Sequence, residues 1–231
     1  MSPRERWTVI RFTSFRVGRG FASASIGALV LMLGTEAAFA HPRLEFEAGP
    51  TWTTLLYREE LPVWENGGRL LFAGGANLEF PIRSSTALQT GLRYLPLGNS
   101  VKIDLAGYDH FRVTQHYVAL PLRLRLRPTP ARRFFVAAGP EAAILVNARI
   151  STDAVHSPFF DLPESSTNIR KNLQPVVLLG GAEADFEFTA GRRIARAGLR
   201  YTYGITGAAK KEDWLSDWHT QSVEGLLGLV W

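Results

Sequence analysis

The connections between the extended segments of this chain alternate strictly between short and long, and that rhythm restricts the fold more than any other feature. From residue 43 onward, apolar and polar residues alternate with a period of two between turn-forming residues. This marks eight strands: Arg43 to Tyr57, Arg69 to Ile82, Thr86 to Leu97, Arg112 to Arg127, Phe134 to Ile150, Val176 to Thr189, Arg193 to Thr206 and Gln221 to Trp231. RSS, PTPARR and AGR follow the even strands. REELPVWENGG, GNSVKIDLAGYDHF, the 25 residues Ser151 to Pro175, and GAAKKEDWLSDWHT follow the odd ones.

A soluble sandwich has no reason to gather every long connection at one end. Outer-membrane barrels do, with tight turns in the periplasm and long loops outside. The expected fold is all-β: a single up-and-down antiparallel transmembrane β-barrel of eight strands, after an N-terminal signal peptide, with both termini periplasmic. Mean hydropathy of −0.02 agrees, since lipid-facing apolar residues alternate with lumen-facing polar ones and cancel. No apolar stretch past residue 40 approaches the length of a spanning helix.

The first 40 residues read as the signal peptide and 41–231 as the barrel domain. An arginine-bearing segment leads into FASASIGALVLMLG, too short to span a bilayer, and then into TEAAFA before His41. Ala38 and Ala40 supply the small residues that a signal peptidase needs, placing cleavage between Ala40 and His41. Three of the five net positive charges fall in this leader, so no nucleic-acid footprint remains in the mature chain. Cysteine is absent, which excludes disulfides, thiolate metal sites and cysteine nucleophiles. The five histidines are scattered without ligand spacing. No metal or cofactor is expected.

Strand parity assigns the two faces. Val118, Leu120, Leu122, Leu124 and Leu126 share one face of the fourth strand, and Arg123, Arg125 and Arg127 the other. The sixth strand sets Ala182, Ala184, Phe186 and Phe188 against Glu183, Asp185 and Glu187. The same count turns Glu45, Glu47, Glu79, Arg93, Glu141, Arg149, Arg196, Arg200 and Glu224 inward. Acids and arginines then nearly balance in a lumen just wide enough for side chains, so a salt-bridged plug is expected in place of a wide pore. A narrow ion path is the alternative. Phe46, Phe80, Phe134, Phe188 and Trp231 fall near the short-turn end and Tyr57, Tyr94, Tyr201 and Tyr203 near the other, as two interfacial girdles require. The last strand ends on Trp231, in phase with Val223, Leu227 and Leu229, an aromatic terminus suited to recognition by the barrel-assembly machinery.

The segments LQTGLRYLPLG, HYVALPLRLRLRP, FFVAAGPEAAILVNA and VVLLGGAEADFEF occur in this order. In this, residues 41–231 resemble the PorT-like outer-membrane β-barrel proteins, often labelled simply "porin family". HYVALPL and the Gly139–Pro140 pair carry most of the likeness. The resemblance implies a small integral outer-membrane barrel and no set of functional residues.

Two further readings come from the rims. Lipid-modifying enzymes of the deacylase or acyltransferase type use a serine and a histidine near one rim. His219 with Ser222, or His110 and His116, with Asp217 or Asp109, are the candidates, although WHTQS lacks the asparagine and glycines of the deacylase pattern. An adhesive or accessory role would use the long loops. Phe159, Phe160 and Leu162 in Ser151 to Pro175 suit either a lid or a partner surface. Trp214 and Trp218 suit an outer interface anchor, beside Lys210 and Lys211, which could meet lipopolysaccharide phosphates. The expected partners are outer-membrane lipid and lipopolysaccharide, the barrel-assembly machinery during biogenesis, and an extracellular or envelope protein at the long loops. The barrel is expected to be a monomer.

Overall fold

The computed structural model describes residues 41–56, 64–103, 111–128, 133–152, 155–157, 160–162, 164–209 and 219–231. Eight long strands dominate it: β1 Arg43–Leu56, β2 Arg69–Arg83, β3 Thr86–Ile103, β4 Phe111–Leu126, β5 Phe134–Thr152, β6 Val176–Ala190, β7 Arg193–Gly204 and β8 His219–Val230. Each pairs antiparallel with its neighbours in sequence, β8 pairs with β1, and β5 with β6, so the eight long strands close into a barrel. Closure pairs the edges of these strands, which a sheet in lipid must do.

The register sets the dimensions. From Phe186 on β6, successive partners are Ala197, Leu227, Ala48, Gly74, Tyr94, Val118 and Ile144. The path then returns to β6 at Val176, ten residues from its start. With eight strands, a stagger of ten tilts them by about 40° and gives a backbone radius of about 8 Å. That interior fits one layer of long side chains meeting at the axis.

Two of the short turns are two-residue connections, Ser84–Ser85 between Arg83 and Thr86, and Gly191–Arg192 between Ala190 and Arg193. Gly191 takes a φ of 64°, a conformation that a hairpin this tight demands and that only glycine adopts without strain. At the other end the sheet runs on. β3 continues past the expected Leu97 because Trp64–Gly67 pairs with it, and β5 continues to Thr152 because Ser165–Asn168 pairs with it. The 25-residue connection therefore carries local structure, including a small hairpin of Val155–Ser157 with Phe160–Leu162 and a 3-10 turn at Arg170–Asn172.

The outer face is a continuous apolar belt. Leu70, Leu199 and Leu227 are 67%, 62% and 65% exposed, and Leu120, Leu122, Leu124 and Leu126 line one strand of it. Soluble monomers do not expose patches of this extent. Phe46, Phe134, Phe188 and Trp231 are exposed at the short-turn end and Tyr94, Tyr201 and Tyr203 toward the other, with Phe80 half-buried. Tyr57 lies outside the described residues, as do Ala38 and Ala40. His41 is exposed at the short-turn end. Trp231 exchanges two backbone hydrogen bonds with Leu44 (2.8 and 3.3 Å), which ties the chain's last residue into the β8–β1 seam.

Candidate functional site: the charged lumen

Inside the belt, parity brings long charged side chains from all eight strands to the axis. The layer nearer the long connections holds Arg93, Arg123 and Arg200 with Glu47, Glu141, Glu183 and Glu224. Arg200 forks onto both oxygens of Glu47 (2.6 and 2.7 Å), and its Nε and Nη2 reach Glu183 (2.8 and 2.6 Å). Arg93 bridges Glu141 (2.8 Å) and Glu224, while Arg123 bridges Glu141 and Glu183 (3.0 Å). At this level β2 contributes Gly75, where a Cβ would sit 2.7 Å from that of Arg93. The missing side chain is the room that the arginine needs.

The layer nearer the short turns holds Arg125 and Arg196 among Glu45, Glu79, Asp185 and Glu187. Arg125 reaches Glu79 (3.0 Å), Asp185 (2.5 Å) and Glu187 (3.3 Å). Arg196 reaches Glu79 (2.7 Å), Glu187 (2.9 Å) and Glu45. Gln89 donates to Glu45 (3.0 Å). All thirteen of these ionic residues are buried. Arginine suits this setting because its planar fork can hold two carboxylates at once and stays charged when desolvated.

Two residues depart from the expected inward set. Arg149 is exposed on the outer face, because a β-bulge between His116 and Tyr117 of β4 and Leu145 and Asn147 of β5 adds one residue and reverses the parity beyond it. Ala148 turns inward in its place. Arg127 sits half-buried at the short-turn mouth, 4.6 Å over the Phe135 ring. The buried charges therefore do not balance: eight carboxylates share five arginines, and each carboxylate keeps at least one guanidinium partner only because every arginine bridges two or more.

Two elements of the lumen were not anticipated. Phe135 lies beneath Arg125 at 3.6 Å and also faces Arg196, a desolvated cation–π stack in the lower layer. Phe135→Leu is expected to cost about 2 kcal/mol, from the lost stack and a partial cavity, measured by urea unfolding of the protein in lipid vesicles. The second is an apolar cap above the charged layers, formed by Leu55, Leu95, Leu97, Val113, Tyr117, Leu145, Val177 and Leu179 with Leu173 and Ala209 from the connections. A β-bridge joins Leu173 to Ala209, and Gln174 N–H donates to the Ala208 carbonyl (2.9 Å). The end of the Ser151 to Pro175 stretch thus pairs with the segment that follows β7, while Phe159 and the side chains of Phe160 and Leu162 lie outside the described residues. So do Lys210, Lys211, Trp214 and Trp218.

Ser222 and His219 do not come together. Ser222 points into the barrel, whereas His219 is on the opposite face of β8 with its Nδ1 2.9 Å from the Gly204 carbonyl oxygen. His116 is held by the Tyr94 hydroxyl at 2.5 Å on the outer face. His110, Asp109 and Asp217 lie outside the described residues.

The family model described as outer membrane protein beta-barrel domain matches residues 43–209. Among solved structures, the chain is similar to the attachment invasion locus protein Ail of Yersinia pestis, solved with the heparin analogue sucrose octasulfate (11% identity, 83% of this chain and 100% of that one, TM-score 0.42). It is similar also to Neisserial surface protein A (12% identity, 84% and 99% covered, TM-score 0.42) and to the outer membrane protein OprG of Pseudomonas aeruginosa (11% identity, 82% and 95% covered, TM-score 0.44). No curated protein matches the chain.

Proposed function

Because this chain belongs to the outer membrane protein β-barrel domain family, we propose that it is a non-conducting outer-membrane scaffold whose lumen is plugged and whose long connections serve as the contact surface. In this reading the short turns and both termini face the periplasm, and the long connections face outward toward lipopolysaccharide and an extracellular or envelope partner, in a structural, adhesive or accessory role. Within the family, HYVALPL and Gly139–Pro140 support a PorT-like reading.

The single observation that carries the proposal is the filling of the lumen. Two layers of bridged arginines and carboxylates, with inward Leu55, Leu95, Leu97, Tyr117 and Leu145 above them, support this reading. Such a network disfavours hydration because every arginine is already held by two or more fixed carboxylates. In planar bilayers at high salt the protein is expected to give no stable conductance steps. A reproducible ohmic conductance would overturn the plug and favour the narrow-pore reading. Protease added to intact cells is expected to cut only within Ser151 to Pro175 or the other long connections, and cleavage at the short turns would reverse the orientation.

A further inference from the structure

At the short-turn end the charged side chains outside the lumen network are all arginines. Arg43 opens β1, Arg83 stands at the β2–β3 turn, Arg127 and Arg133 flank the β4–β5 connection, Arg192 lies in the β6–β7 turn and Arg193 opens β7. Arg132 adds another in sequence. The described segments at this end, 41–44, 81–86, 126–128, 133–134, 188–194 and 229–231, contain no aspartate or glutamate. The nearest side-chain carboxylates, Glu45, Glu79 and Glu187, point into the lumen and are bound by Arg125 and Arg196.

Depth and distribution identify what meets these cations. Arg83, Arg133, Arg192 and Arg193 are exposed, one residue or so beyond the apolar belt and its aromatic edge. Arg133 adjoins Phe134 and donates to Thr189 (3.0 Å), and Arg193 stacks over the Trp231 ring. These guanidiniums therefore stand at headgroup level. Exposed arginines occur at all three short turns, so they are spread around the rim and do not form one patch, while Arg43 and Arg127 face the cavity at the lumen mouth, which Arg83 also borders. A protein partner would dock on one sector, whereas lipid surrounds the barrel on all sides.

We propose that these rim arginines select anionic phospholipid, of the phosphatidylglycerol type, as the annular lipid of the leaflet at the short-turn end. The proposal rests on the membrane-barrel reading but not on the orientation in the cell. It is tested with the full chain refolded into phosphatidylethanolamine bilayers carrying spin-labelled phosphatidylglycerol or spin-labelled phosphatidylethanolamine, by the fraction of each label that is motionally restricted. At low salt the anionic label is expected to associate about fivefold more strongly, the factor for a lipid charge meeting one arginine, and the preference should vanish near 1 M salt. The variant with Arg83→Gln, Arg133→Gln, Arg192→Gln and Arg193→Gln should lose it while keeping its heat-modifiable mobility. If that variant does not fold, Arg192→Gln and Arg193→Gln at the exposed turn provide the comparison. Equal restriction of both labels, or a preference that the variants retain, would overturn the proposal. Binding of soluble polyglutamate without lipid selectivity would overturn it too, by assigning the rim arginines to an acidic protein. Reversed orientation in the cell would appear in protease cleavage on intact cells and leaves the bilayer result unchanged.

Discussion

Arg200→Met is expected to destabilise the barrel by about 3–5 kcal/mol, the scale for breaking a buried ion pair from one side. Arg200 is 1% exposed and forks onto Glu47, and among the described residues no other arginine bonds that carboxylate; Glu183 keeps Arg123. Methionine restores the volume but strands one buried anion, which in the proposed plug water cannot reach cheaply. Adding Glu47→Gln should recover much of the loss, because an amide is far less costly to bury than an unpaired carboxylate. Arg200→Lys should sit between the two, with one point charge in place of a planar fork. Unfolding in urea, followed by heat-modifiable mobility in vesicles, measures all three. A loss below about 1 kcal/mol, the range of solvated pairs, would mean that water fills the lumen, and the plug would then fail along with the stability argument.

This sensitivity explains why so much of the site was legible in the sequence and why part of it was not. Strand ends at the short turns agree to within a residue, because RSS and AGR are strong local turn signals flanked by strict alternation. The inward arginines and acids of β4 and β6 follow from the same alternation, since a charge in every second position has only one face to occupy. Arg149 escaped because a bulge is a property of two strands together, and Val146, Asn147 and Ala148 carry no local mark of it. The apolar cap escaped for a different reason. Where Leu95, Leu97, Tyr117 and Leu145 face inward and Leu92, Leu120 and Ile144 face outward, both faces are apolar and the period-two contrast disappears. The same silence hid Phe135, beside Phe134 on the opposite face. The extensions of β3 and β5 depend on pairing with Trp64–Gly67 and Ser165–Asn168, short polar segments whose strand character comes from their partners.

Replacing an outward leucine by arginine separates a lipid-facing belt from a solvated one, and the expected effect is again large. Leu122 lies midway along the apolar face of β4, between Leu124 and Leu126 toward the short turns and Val118 toward the long connections. Leu122→Arg should cost about 2–4 kcal/mol, as a cation at the bilayer midplane does, while Leu126→Arg near the short-turn rim should cost about 0–1 kcal/mol. Leu199→Arg, midway along β7 and 62% exposed, should behave like Leu122→Arg. The gradient matters more than either value. Exposed leucines on a barrel standing in water would tolerate arginine equally well at every height, with changes within about 0.5 kcal/mol. If all three variants behave in that way, the belt is not in lipid, and the chain is a soluble barrel whose apolar exterior needs another partner. If the cost rises from the rim to the middle, the outward face is measured as a membrane surface by depth, independently of every contact inside the lumen.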